Sequence, residues 1–302
     1  MVCAVPGGRE QVMADKVTGP LGPRRAIATN LKRLREESGQ SLNDVATPLM
    51  ISTSKLSRLE NAQGKPNPRD IRDLIAHYKI QGTSLARSMT RWAKDAQEPG
   101  WWASFDDEVV GQMDTHLAYE TDAAVARTYT FPFLPALLQL PEYAAAIFRD
   151  MEGHSEERIE QLLEVRRLRQ QALVSREGLE PLELVAVTHE STLHQMVGSP
   201  EVMRRQLEEL VEHSTEPNIQ LRVLPFDALP TFSMTCMYAY FEYKEAAESD
   251  IVHIETHAGY ISVTDPAQVR KYRDAHKALM ESSLSETKSR DLIHAVGGTL
   301  PS

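Results

Sequence analysis

The sequence predicts an α+β chain in two parts: an all-α bundle over residues 23–98, then a larger mixed α/β domain over residues 99–302. Charge and hydrophobic pattern both predict this division. Residues 24–79 hold 11 Lys and Arg against 6 Asp and Glu, net +5, whereas residues 80–302 hold 20 against 35, net −15. The apolar period is helical throughout the first part and alternates between strand-length runs and helices in the second. A small basic segment joined to a large acidic one suits a nucleic-acid-binding module carried by a separate partner or effector domain.

At 302 residues, with 41% hydrophobic and 25% charged residues, the chain can bury a core in each part. Residues 1–22 are rich in Gly and Pro and are expected to be disordered, with no apolar run of the kind a signal peptide needs. The longest nearly apolar stretch, FPFLPALLQLP, has 11 residues and three prolines. A bilayer span needs about 20 apolar residues, so no membrane association is expected and the protein reads as cytoplasmic. Cys3 and Cys236 make neither a disulfide framework nor a zinc site.

Taken in order, IATNLKRLREESG places Ile27, Leu31 and Leu34 on one helical stripe, and Gly39 ends it as a left-handed cap. Ser41 caps a second short helix, LNDVAT, whose Leu42, Val45 and Ala46 face inward. Ser52 caps a third, TSKLSRLEN. Asn67 and Pro68 open a fourth, with Ile71, Leu74, Ile75 and Tyr78 on its stripe. Two short helices joined by a four-residue turn inside a bundle of four make a helix-turn-helix. Pro48 falls where the second helix should still be running and Met50 in the turn itself, so the second helix is expected to end early and the turn to be reshaped.

The third helix carries the main functional signal. Wound at 3.6 residues per turn, Thr53, Ser54, Ser57, Arg58 and Asn61 fall in one arc opposite Leu56 and Leu59. An ordinary solvated face would carry more Glu and Lys. A short-chained, hydrogen-bonding face free of acid suits a polar, negatively charged surface. Arg58 can donate two hydrogen bonds to guanine, and Ser or Thr can bond a base or a phosphate. Ser52 and the free N–H groups at the helix start suit a phosphate, with Lys55, Lys32, Arg33 and Lys65 as candidates for backbone neutralisation.

LKRLREESGQSLNDVA and ISTSKLSRLEN together resemble the Xre, or lambda-repressor-like, helix-turn-helix. The resemblance implies that the third helix lies in the major groove of double-stranded DNA. Thr53, Ser54, Ser57 and Arg58 match its base-facing positions, Asn61 a phosphate-contacting one, and Arg35 with Glu60 a buried ion pair between the first and third helices.

In the second part, residues 106–127 read as a helix with Val109, Val110, Met113, Leu117 and Val125 inward. A Pro-rich extended segment and short helices follow, then a long helix capped by Ser155 and stopped by Gly178. Four strands are expected over 182–188, 219–224, 235–241 and 250–255, with helices over 201–214 and 266–282. The stretches YETDAAVARTY, LPALLQLPEYAAA, RRLRQQAL, GSPEVMRRQL, PNIQLRVLPF, DIVHIET and DPAQVRKYR resemble the C-terminal domain of the actinobacterial WhiJ-like Xre regulators. That resemblance implies an antitoxin-like domain that binds a small partner protein, often encoded nearby, with no catalytic residues. A homodimer is expected, because this class of reader gains affinity from two half-sites.

Each near-motif for an enzyme fails on spacing or on a missing partner, so a metal-dependent hydrolase is the weakest of the readings and no cofactor is expected. HIETH could place His253, Glu255 and His257 on one strand face, but no cysteine pair follows it as a zinc deaminase would need. In HESTLH the second His lies five residues after the first, where the zinc-protease motif needs four. The basic run RRLRQ reads as a solvated or salt-bridged helix face. Trp101, Trp102, Tyr119, Phe131, Phe133 and Tyr143 could line a pocket, but aromatic residues at such spacing more often form core.

Overall fold

The computed structural model describes residues 21–301 except 63–64, 112, 152, 177–178, 229–234, 245–249 and 257–258. Residues 1–20, Gly178 and His257, each given a role above, lie outside the described residues.

Five helices form the N-terminal bundle: α1 (Leu21–Glu37), α2 (Leu42–Ala46), α3 (Thr53–Glu60), α4 (Pro68–His77) and α5 (Ser84–Asp95). Their apolar stripes meet in a core built on Ile27, Leu31, Val45, Leu56, Ile71, Leu74 and Met89. Local sequence sets the helix starts. The Ser41 side chain accepts from the Asp44 N–H while the Asp44 carboxylate accepts from the Ser41 N–H, a reciprocal capping box. Ser52, Asn67 and Thr83 cap α3, α4 and α5 through their side-chain oxygens. Helix α5 was not among the four expected; its Ala86, Met89 and Ala93 close the bundle. Helix α1 also begins earlier than the expected disordered segment allows, because Gly22 N–H donates to Asp122 Oδ2 at 2.6 Å and the Arg25 guanidinium lies 3.4 Å above the Tyr243 ring.

The turn between α2 and α3 settles the matter of Pro48 and Met50. Helix α2 stops at Ala46, two residues before the proline. Met50 then takes the left-handed conformation itself, at φ 54°. Met50 N–H donates to Thr47 O and Ile51 N–H to Ala46 O, each at 3.1 Å. These are the paired bonds of a Schellman turn. The same pair closes α1 at Gly39 and α4 at Lys79 (φ 54°). The turn is therefore closed in the ordinary way, with methionine in the glycine position rather than a new path.

The larger domain opens with α6 (Asp107–Val110), α7 (Asp114–Asp122) and β1 (Val125–Thr130), followed by α8 (Pro141–Ala146), α9 (Glu156–Gln171) and β2 (Glu183–His189). Next come α10 (Ser191–His194), α11 (Pro200–His213), β3 (Ile219–Leu224), β4 (Tyr238–Glu242), β5 (Ile251–Thr256) and β6 (Gly259–Val263). Helices α12 (Pro266–Ser282) and α13 (Glu286–Thr299) end the chain. The described strands form one six-stranded sheet in the order β3-β2-β1-β4-β5-β6. β1, β2 and β3 run parallel; β4, β5 and β6 continue as an antiparallel meander beside β1.

One face of this sheet packs under α7, α8, α9, α11 and α13, with Leu117, Tyr143, Ile159, Leu207 and Ile293 buried against Ala126, Ala186 and Phe241. The opposite face is covered by α12, whose Val269 and Leu279 meet Tyr129, Tyr240 and Val252. The helix expected over 106–127 is thus three elements. Val125–Thr130 becomes the central strand because β2 and β4 satisfy its backbone on both sides. Strand β6 and helix α13 were also not foreseen.

Candidate nucleic-acid interface

Helix α3 is held from below by apolar packing and from the side by charge. Leu56 and Leu59 are buried in the bundle core. Arg35 on α1 grips Glu60 at the end of α3 through two guanidinium nitrogens: Nε lies 2.8 Å from Oε1, and Nη2 lies 2.9 Å from Oε2. Glu60 is buried and the Arg35 side chain only 16% exposed. The hydrogen bonds that Arg35 donates to the Glu60 carboxylate hold its pKa above the ordinary value. A bidentate pair of this kind fixes direction as well as distance, so the rotation of α3 about its own axis is set relative to α1.

That rotation turns the polar arc outward. Ser52, Thr53, Ser54, Arg58 and Asn61 are exposed, and Lys55 and Ser57 half-buried. Several of these groups already have local partners. Ser52 Oγ accepts from Lys55 N–H at 3.1 Å, and Asn61 Nδ2 donates to the Ser57 carbonyl at 2.8 Å. Lys55 Nζ sits 2.6 Å from Asp70 Oδ2 on α4, so its charge is partly neutralised before any phosphate arrives. Arg33 is likewise paired with Glu37 at 3.1 Å. Among the described residues the Arg58 side chain makes no hydrogen bond or ion pair. It is the cation of this face left free to reach a base edge.

The other sequence candidates are placed differently. Trp102, Tyr119 and Tyr143 are buried in the core, and Trp101, Phe131 and Phe133 pack against it. His253 is buried on β5 while Glu255 is exposed. Among the described residues no group of three or more His, Cys, Asp or Glu side chains is arranged to hold a metal ion. His189 and His194 both face the exposed Phe226 ring. In the RRLRQ run, Arg167 pairs with Glu164 on the surface, whereas Arg169 is buried against Glu120 on α7.

No described helix is long and apolar enough to cross a membrane. Residues 26–87 match a family described as a helix-turn-helix domain. Residues 113–295 match a family described as a domain of unknown function, DUF5753. No curated protein and no solved structure matches the chain.

Proposed function

Because the chain belongs to the DUF5753 family and carries a helix-turn-helix domain ahead of that region, we propose that it is a sequence-specific transcriptional regulator that reads DNA with α3. Its larger domain receives a small partner protein or an effector, and no catalytic step is assigned to either domain. The observation that carries this reading is the exposed, acid-free face of α3, with Arg58 unpaired at its centre and the helix oriented by Arg35 and Glu60. In this reading Arg58 donates to a guanine edge, Thr53, Ser54 and Ser57 to neighbouring bases, and Ser52, Lys55 and Asn61 lie along the phosphates. An antitoxin-like interaction subunit that has lost DNA is the alternative; it draws on Pro48 and Met50, and the closed turn at Met50 weighs against it.

Arg58→Ala tests the reading. Using a site selected from random duplexes by the full chain, the variant should lose roughly 1 to 3 kcal/mol on that site and relax preference at one base pair. Binding to random duplex should change much less. Equal losses on both DNAs would reduce α3 to an electrostatic patch.

The same reading calls for a homodimer, since two recognition helices spaced about 34 Å apart would read two half-sites. Light scattering of the full chain at micromolar concentration should give twice the monomer mass. A monomer both free and on the selected site would count against paired reading.

A further inference from the structure

Between the sheet and helices α6, α7 and α9 lies a cavity of about 670 Å³. That is the size of sites that take small organic ligands, roughly 300 to 1,000 Å³. Its floor follows from strand register. Thr128 on β1 stands beside Ala239 on β4, and Ala239 beside His253 on β5. Short side chains at the middle of a sheet, where large apolar ones would fill the core, leave the space open. The walls include Leu137, Leu162, Val165, Phe148 and Phe241, so much of the lining is apolar.

The polar part of the lining is under-satisfied. Thr128 Oγ1, Thr130 Oγ1, His253 Nε2, His116 Nδ1 and Arg158 Nε are buried with no hydrogen-bond partner among the described residues. All five belong to residues lining this one cavity. Buried polar groups in folded proteins are overwhelmingly paired, so a cluster of exceptions on one cavity marks where a ligand supplies the partners.

Charge selects the ligand's sign. Glu120 is neutralised by Arg169 through bonds of 2.7 and 2.8 Å. Among the described residues the other lining acids, Glu108 and Glu255, are exposed, where solvent screens them. Arg158 and Arg166 are half-buried, where their field is stronger. Arg166 donates to Gln139 and its guanidinium lies 4.9 Å above the Phe148 ring, which holds the fork in place beside an aromatic wall.

We infer that this cavity binds a small organic anion with an apolar, ring-sized body, its acidic group at Arg166 and Arg158 and its body over Thr128 and Ala239. Helix α7 makes the site an effector site, a role that rests on the regulator reading. One side of α7 gives His116 and Glu120 to the cavity, and its last residue, Asp122, holds the start of α1.

Two dyes that share a ring system test the site on the full chain. 1-Anilinonaphthalene-8-sulfonate is an aromatic anion, and N-phenyl-1-naphthylamine is its uncharged counterpart. The anion should bind saturably, one per chain. Arg166→Met should weaken the anion at least about tenfold and leave the neutral dye within about twofold, and Arg166→Lys should recover part of the loss. Ala239→Leu should weaken both dyes without lowering the melting temperature, since the new side chain enters open space; Thr128→Leu serves if Ala239→Leu melts early. Anion binding unchanged in both filled variants, or equal weakening of the two dyes by Arg166→Met, would overturn the site. Amide exchange reads the coupling without DNA: a saturating anion should slow exchange in Asp114–Asp122 and at the start of α1. Slowing confined to α7 would overturn the effector role and leave the binding site standing.

Discussion

Each domain contains a buried arginine–glutamate pair that joins two helices, and the two pairs serve opposite ends. Arg35–Glu60 ties α1 to α3 at the edge of a small bundle, where Arg35 keeps some contact with solvent. What it positions faces outward: the polar arc of α3. Arg169–Glu120 ties α9 to α7 deep in the larger domain, with both side chains under a tenth exposed. What it shapes faces inward, as part of the cavity wall. For Glu120, burial alone would raise the pKa; Arg169 and His116 outweigh it and hold the carboxyl well below its ordinary range. The same chemical unit thus orients a surface in one place and props open an interior in the other, with the degree of burial setting how much depends on it.

Removing one partner from each pair should separate them most clearly. Arg169→Leu leaves a fully buried carboxylate and should cost roughly 3 to 5 kcal/mol. Arg35→Leu leaves Glu60 next to solvent that can enter the gap, and should cost roughly 1.5 to 3 kcal/mol. Urea unfolding of both variants checks the order. Losses in the reverse order would mean that exposure does not govern the difference.

Acid should act next, and on the larger domain. Burial, with the neighbouring His116, pushes His253 down to about 3, and burial, with Arg127, pushes His276 down to about 4. Both are neutral when folded, while the unfolded chain takes up a proton on each below pH of about 6.5. Their contribution is therefore complete above that pH and is lost as pH falls toward 4. Each histidine should remove about 1.4 kcal/mol per pH unit within that window. Urea midpoints between pH 7 and 5 should show it, and His253→Gln should halve the slope. A flat profile would place these rings in contact with water.

The smallest effect belongs to the bundle. Met50 is 93% exposed and left-handed, so Met50→Gly should relieve strain and raise stability by about 0.5 to 1 kcal/mol. Thermal melts would detect it; a loss of stability would show that the methionine side chain contributes more than its backbone costs.

The bundle was far more legible in the sequence than the cavity, for a physical reason. Helix caps are local: Ser41, Ser52 and Asn67 announce their helices within four residues, and a helical wheel alone places Glu60 on the inner side of α3. Strands β2 to β5 were visible as apolar runs. Strand β1 was not, because Val125–Thr130 mixes Ala, Arg and Thr and is buried between neighbours that are distant in sequence. Strand β6 is short and none of its residues is fully buried, which erases its pattern. The cavity depends on the register of β1, β4 and β5 and on residues from α7 and α9, none of them local. The aromatic residues went into the core or against it, as their spacing favoured, while Arg166 and Arg169 lay within a run that looked like helix surface.

The anchorage of α1 bears on how this molecule can be cut and recombined. Its first turn is fastened to the larger domain by Gly22 on Asp122 and Arg25 on Tyr243, and Tyr243 in turn donates to the Tyr119 carbonyl at 3.1 Å. Cutting the chain between residues 98 and 99 would strip the larger domain of contacts made by residues far upstream of the cut. A chimera that grafts a different reader onto this domain should therefore retain Leu21–Arg25 and splice within α1 beyond them. The boundary between the two modules runs across a helix, not along a linker.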